Sequence, residues 1–261
     1  MKKEHIITVG FLLGIWYLGA FMVHNDILIP FPHEVLRNMF LLLTDFSNYH
    51  AIVLTIFRVI RGFLISFLFA LCCSILANEY KHFDSLLSPI FLITKTIPNI
   101  SYIILCLIWF GSEGAVSVVT FMILFPVFYS SFYHSLKMES QNLKDVDAIY
   151  NQSTFDKIFH RLIPSLYIPI LTTSKTALSL GFKVGVMAEI LGQIRVGIGK
   201  YLYYAKINLD TTSLLAWTLI IILISLCIEF LFDYVLKLRL KEEQLWKDPD
   251  ESVQPGSALR G

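Results

Sequence analysis

Residues Gly114–Tyr133 read GAVSVVTFMILFPVFYSSFY, a run with no charged side chain anywhere in it. A helix rises about 1.5 Å per residue, so roughly 20 residues span the ~30 Å hydrocarbon core of a bilayer. Pro126 does not spoil this reading, because membrane bundles tolerate proline where the freed carbonyl finds another partner. The whole-chain composition agrees. Hydrophobic residues make up 56% of the 261 and charged residues 16%, against about 25% charged in a soluble domain. A formal net charge of +1 supplies no global basic field, which argues against a nucleic-acid partner. Cys72, Cys73, Cys106 and Cys227 all lie inside apolar runs without metal-ligand spacing, and read as small core hydrophobes. No series of short alternating strands suggests a barrel, so the class is an all-α integral membrane protein.

Five more runs approach the same length: Ile6–Val23, Gly62–Ala77, Thr96–Gly111, Thr211–Ile228, and Leu162–Glu189, which only Lys175 and Lys183 interrupt. Together they predict six spans at about 6–23, 52–77, 86–110, 114–134, 166–190 and 212–236. An even number of spans puts both termini on one side. That side would carry Lys2, Lys3, Lys81, Lys137, Lys144, Lys157, Arg161, Lys237, Arg239, Lys241 and Lys247, and the other only Arg37, Arg195, Lys200 and Lys206, with Arg58 and Arg61 near its boundary. Positive loops stay inside, so the termini are expected in the cytoplasm. Lys2-Lys3 before an apolar run also outlines a signal peptide, but Leu18-Gly19-Ala20-Phe21 is a poor cleavage site, and an uncleaved first span is expected. Among the connections, Ile29-Pro30-Phe31-Pro32 predicts an extended external segment leading into an amphipathic surface helix over 33–43. Gly111-Ser112-Glu113-Gly114 predicts a tight external turn, and Gly197 and Gly199 two further turn points. Residues 1–246 read as one membrane domain, and 247–261 as a disordered tail. No internal repeat is visible, which counts against the inverted-repeat carriers.

The hydrophobicity breaks over 136–163, expected to be a cytoplasmic loop. Within DVDAIYNQSTFDKIFHRLIP, Asp145–Pro164, the apolar residues Val146, Ile149 and Tyr150 fall at helical spacing, as do Phe155, Ile158, Phe159 and Leu162. Asn151-Gln152-Ser153-Thr154 separates the two sets and offers a cap to the second. Two short amphipathic helices result. They either lie on anionic headgroups through Lys157, His160 and Arg161 or insert into a groove of a cytoplasmic partner.

This stretch resembles the EAA loop of binding-protein-dependent ABC importer permeases. Asp145 stands at the Glu position, Asn151 at the Gly position, and Ile163-Pro164 at the Leu-Pro, with Pro169 as the second proline. Val146-Asp147 replaces the usual Ala-Ala before Ala148. Further matches run in order along the chain. Ile29-Pro-Phe-Pro-His-Glu-Val-Leu36, Phe57-Arg-Val-Ile-Arg-Gly-Phe63, Lys95-Thr-Ile-Pro98, Ile108-Trp-Phe-Gly-Ser-Glu113 and Lys175-Thr-Ala-Leu-Ser-Leu-Gly-Phe182 with Met187-Ala-Glu189 are similar to segments of the subfamily that imports taurine, sulfonates, nitrate and pyrimidine precursors.

The resemblance implies a six-helix, MetI-like bundle in the bacterial cell membrane. It further implies a pore made by two copies of the chain, two cytoplasmic ATPase subunits beneath it and an external solute-binding protein. Asp145, Ala148, Asn151, Phe155, Ile158, Ile163 and Pro164 would form the ATPase-coupling loop. The solute would be a small organic or inorganic anion or a vitamin precursor. The chain contains no Gly-x-x-x-x-Gly-Lys-Ser/Thr loop, so ATP and Mg²⁺ are expected in the partner; no cofactor, metal ligand or catalytic residue is expected here. Ionisable groups inside spans are functional candidates. Lys183 lines the pathway of an anionic solute, pairs with a carboxylate such as Glu229, or snorkels to an interface. Glu189 serves as a gate or as a helix contact. Arg58 and Arg61 read as scaffold contacts, Lys95 as answering a carbonyl freed by Pro98, and Tyr203, Tyr204 and Trp217 as interfacial aromatics. An ion-coupled carrier and the scaffold of another energy-coupled importer remain the alternatives.

Overall fold

A computed structural model of the chain describes residues 3–25, 27–138 and 162–247, and all of their regular structure is helical. In chain order the helices are α1 (Lys3–Val23), α2 (Pro32–Thr44), α3 (Phe46–Glu79), α4 (Lys81–Thr96), α5 (Asn99–Lys137), the single turn α6 (Ile163–Ser165), α7 (Tyr167–Gly192), α8 (Ile198–Ile207) and α9 (Thr211–Lys247). By length and composition, α3, α5 and α9 as far as Lys237 can cross a membrane, and Ile7–Val23 of α1 is apolar but shorter.

Helix α5 is not one rod. Gly111 takes φ 67° and ψ 173°, a left-handed φ that glycine adopts without a Cβ penalty. Cys106 Sγ then lies 3.6 Å from Met122 Sδ, 16 residues on. In a straight helix that separation would be about 24 Å. The chain therefore doubles back, and the turn expected at 111–114 is present. The arm 99–110 packs against 112–137, burying Ile103 and Cys106 against Ala115, Val116 and Val119.

The core is three helices: α3, the 112–137 arm and α7. Ser117 Oγ donates to the Arg58 carbonyl at 2.9 Å, and further along, Phe67 meets Phe128 and Phe132 edge-on at 5.6 and 5.7 Å between centroids. These two elements therefore run parallel. Helix α7 runs against them, with Thr173 beside Ser131 and Glu189 beside Arg58. Hydrophobic expulsion from water gives little between helices in lipid, where close packing of small residues takes over. A Cβ on Gly62 would sit 2.5 Å from the Ser117 carbonyl oxygen, and one on Gly185 would sit 2.5 Å from Val59 Cγ2. Backbones approach that closely only because these positions carry no side chain.

Smaller elements wrap this core. Glu34 accepts from the Phe31 N–H at 3.2 Å to cap the start of α2, and Pro32, Val35 and Met39 form its buried face. Helix α9 is held by Asn38 to Ser213 at 2.9 Å and by Lys175 to Asp233 at 2.7 Å. Helix α1 is exposed along most of its length and attaches through Ala20, Trp16 Nε1 to the Pro30 carbonyl (3.1 Å), and the Tyr17 hydroxyl to His33 (3.1 Å).

Two expectations change here. Residues 86–110 do not form one helix: α4 ends at Thr96, Ile97 is extended (φ −75°, ψ 131°), and α5 starts at Asn99. Pro98 is the cause, since proline disfavours the helical region for the residue before it. Trp217 is not an interfacial aromatic. It is 2% exposed and stacks on Tyr201 with 4.7 Å between centroids. The tail beyond Lys247 lies outside the described residues.

Candidate functional site

Helix α7 has two faces with different chemistry. Thr173, Ser174, Ala177, Gly181, Val184, Gly185, Ala188 and Glu189 are buried, whereas Thr172, Thr176, Lys183, Met187 and Leu191 form an exposed stripe. The spacing of about 3.6 residues per turn assigns the two sets to opposite sides of one helix.

Glu189 is 0% exposed and is held from three directions. Arg58 Nη1 donates to Oε1 at 2.9 Å, the Gly199 N–H donates to Oε2 at 3.0 Å, and the Thr55 hydroxyl lies 2.9 Å from Oε2. Arg58 also donates to the Val196 carbonyl at 2.9 Å and pairs with Glu113, whose side chain is 50% exposed at the Gly111 turn. Thr55 Oγ1 in turn accepts from the Ile198 N–H at 3.0 Å. One guanidinium thus ties α3 to α7, to the α5 turn and to the 193–197 connection. A buried carboxylate is tolerated only with this degree of pairing. Gly199 is required by the same packing, because a Cβ there would overlap Glu189 Cβ and come within 2.7 Å of the Ile190 nitrogen.

The exposed side carries the other candidate. Lys183 projects from the stripe and has no ion-pair partner among the described residues; it is Lys175, two turns earlier, that pairs with Asp233. A cavity of about 730 Å³ opens between α7, the 112–137 arm and the α4–α5 hinge, and its lining along α7 ends at Leu180, three residues before Lys183. Its walls include Thr94, Asn99, Tyr102, Ser130, Ser131, His134, Ser135, Thr173 and Thr176, with Leu180 at the Lys183 end and no acidic residue among the described residues. Ser131 and Thr173 share a hydrogen bond of 2.5 Å across it. The hydroxyls were missed in the sequence because Ser and Thr inside an apolar run read as ordinary small residues. The pattern Ser130-Ser131…His134-Ser135 at i and i+4 was the available signal.

Of the coupling-loop residues, Asp145, Ala148, Asn151, Phe155 and Ile158 lie outside the described residues, as does the side chain of Lys95. Ile163 and Pro164 begin the turn α6, flanked by Leu162 and Leu166, both 0% exposed. Pro164 and Pro169 each sit in the first turn of a helix, where the missing N–H has no helical acceptor to lose. Leu136 and Leu162 bracket the segment and belong to one buried cluster with Ala77, Phe128 and Phe132.

Residues 62–240 match the family described as "Binding-protein-dependent transport system inner membrane component". The chain belongs to this family of ABC importer permeases. A probable ABC transporter permease protein of Haemophilus influenzae is 27% identical over 237 residues, covering 88% of this chain and 94% of its own length. The taurine transport system permease protein TauC of Escherichia coli is 21% identical, covering 85% and 83%. The formylaminopyrimidine transport permease protein ThiX of Halalkalibacterium halodurans is 26% identical, covering 69% and 72%. The chain is thus a multi-pass membrane permease of the subfamily indicated by its motifs, and the carrier and alternative-scaffold readings fall away. The matched region begins at Gly62, so the family's common part starts inside α3 and includes the whole groove from Thr94 to Leu180.

Proposed function

We propose that two copies of this permease form the solute pathway of an ATP-driven importer in the bacterial cell membrane. In this reading α1, α3, the α4–99–110 pair, the 112–137 arm, α7 and α9 make six crossings, with both termini in the cytoplasm. The pathway runs along the exposed stripe of α7, past Lys183. The coupling loop over 136–163, continued by Pro164, docks on two cytoplasmic ATPase subunits, which bind ATP and Mg²⁺. An external binding protein delivers a small anion or vitamin precursor. This chain itself carries no catalysis.

The observation that supports coupling is the burial of Leu136 and Leu162 in a single cluster with Ala77. Both ends of the loop are packed into the core, so a displacement of the loop is carried to α5 and α7 as a rigid movement. Glu189 and Arg58 serve as the fixed joint at the far end of the same helices, a helix contact and not a moving gate.

Co-purification tests this directly. The full permease should retain its ATPase on a column, and replacing 139–161 by Gly and Ser should release it while the bundle stays monodisperse. Asn151→Pro should leave the ATPase attached but hydrolysing ATP without solute uptake. Retention of the ATPase by the Gly/Ser variant would sink the docking assignment.

A further inference from the structure

The groove whose lining ends three residues before Lys183 has no role in the reading above beyond lying on the pathway. We propose that it is a transit site for an oxoanion, with sulfonate or carboxylate oxygens held by Asn99, Ser130 and Ser131 and the charge balanced by Lys183. The inference rests on the pathway reading and specifies its chemistry.

Three observations carry it. First, the lining combines hydroxyl, amide and imidazole groups with no carboxylate among the groove residues. Thr94, Tyr102, Ser135 and Thr176 donate to backbone carbonyls, so the donors left for a ligand are the Asn99 amide and the Ser130 and Ser131 hydroxyls. Second, Asn99 and Ser130 have no polar partner among the described residues, although they line the cavity. Unpaired donors facing a cavity are the groups a ligand can satisfy, unlike Ser135 and Thr176, which already bond helix carbonyls at 2.8 and 3.0 Å. Ser131 shares its 2.5 Å bond with Thr173, and either hydroxyl can donate in it, so the Ser131 proton can turn towards a bound group. Third, Lys183 follows the lining residue Leu180 by three positions on the exposed face, about one turn or 4.5 Å along the axis. The other nearby lysine, Lys175, is engaged by Asp233. The cavity volume of about 730 Å³ admits a small organic solute with its hydration and is far larger than a bare ion needs.

Thiol labelling tests the proposal without prior identification of the solute. Ser130→Cys and Thr176→Cys are placed separately in a chain carrying Cys72→Ser and Cys227→Ser, the two exposed native cysteines, and reconstituted in phosphatidylcholine nanodiscs. Each is reacted with an anionic sulfonatoethyl and a cationic trimethylammonioethyl methanethiosulfonate, with rates normalised to those of a free thiol. The anionic reagent should be favoured about tenfold, the scale of focusing by charge in a confined cleft. Adding Lys183→Met should bring the ratio close to one, and millimolar ethanesulfonate should slow labelling of the Lys183 chain. A ratio at or below one in both cysteine variants, no labelling of either, or a ratio indifferent to Lys183→Met would overturn the proposal. Protection that requires phosphatidylglycerol in the disc would assign the groove to a lipid phosphate and overturn it as well. The outcomes separate from those of the docking test. Loop-dependent ATPase retention can hold while the labelling ratio fails, in which case only the groove chemistry is lost.

Discussion

The two ends of the α3–α5–α7 core hold together by different physics. At the Glu189 end, one guanidinium lies between two carboxylates, with Thr55 and the Gly199 N–H completing the set. At the Leu136 end, Phe63, Phe67, Phe128 and Phe132 stack edge to face beside a groove lined with neutral hydroxyls. Removing one member of a buried charged set leaves its partner uncompensated, so that end behaves as all or nothing. Ring contacts and hydroxyl bonds are individually worth about 1 kcal/mol and can be remade in a new register. Within the α3–α5–α7 core, the buried charged set thus sits at one end, and rings and neutral hydroxyls make the contacts at the other.

The sharpest way to break this contrast is Arg58→Met. It leaves Glu189 buried without its cation and should cost about 3–5 kcal/mol, seen as a large fall in the melting temperature of the detergent-solubilised permease. Arg58→Met with Glu189→Leu should recover much of the loss, because an apolar pair carries no stranded charge. Failure of that rescue would mean the end is held by packing alone. Gly199→Ala comes next, at about 1–3 kcal/mol from overpacking against Glu189, measured in the same melt. Glu113→Gln, at a half-exposed site, should cost about 0.2–1 kcal/mol and lose most of that effect in high salt. At the groove, Ser130→Ala should change stability by no more than about 0.5 kcal/mol yet alter uptake in proteoliposomes containing the ATPase. A destabilisation there as large as that of Arg58→Met would erase the distinction between the ends.

Much of this architecture was legible because membrane helices announce themselves by length. The run 114–133, the turn at Gly111 and the helix expected over 33–43, found at Pro32–Thr44, follow from hydropathy and from the backbone limits of Gly and Pro. The break at Ile97–Pro98 was less visible, since proline inside an apolar run reads either as a kink or as an end until the neighbouring contacts decide. Trp217 misled because an aromatic near the start of a span is commonly an interfacial anchor, and only the position of α8 brings Tyr201 over its ring. The groove depended on three segments distant in sequence, so no local pattern encoded it. Glu189 stood out from its surroundings, but its partners did not, because Arg58 lies 131 residues away.

That distance has a consequence in time. Arg58 leaves the ribosome 131 residues before Glu189 and 55 before Glu113. At about 10 residues per second these intervals are roughly 13 and 6 seconds. An arginine inside a new span is costly to leave alone in lipid for so long. Glu113 is made in less than half that interval, so the half-exposed carboxylate is the first of the two counter-ions that the chain supplies to Arg58. The folded joint keeps both, the half-exposed carboxylate of Glu113 and the buried one of Glu189.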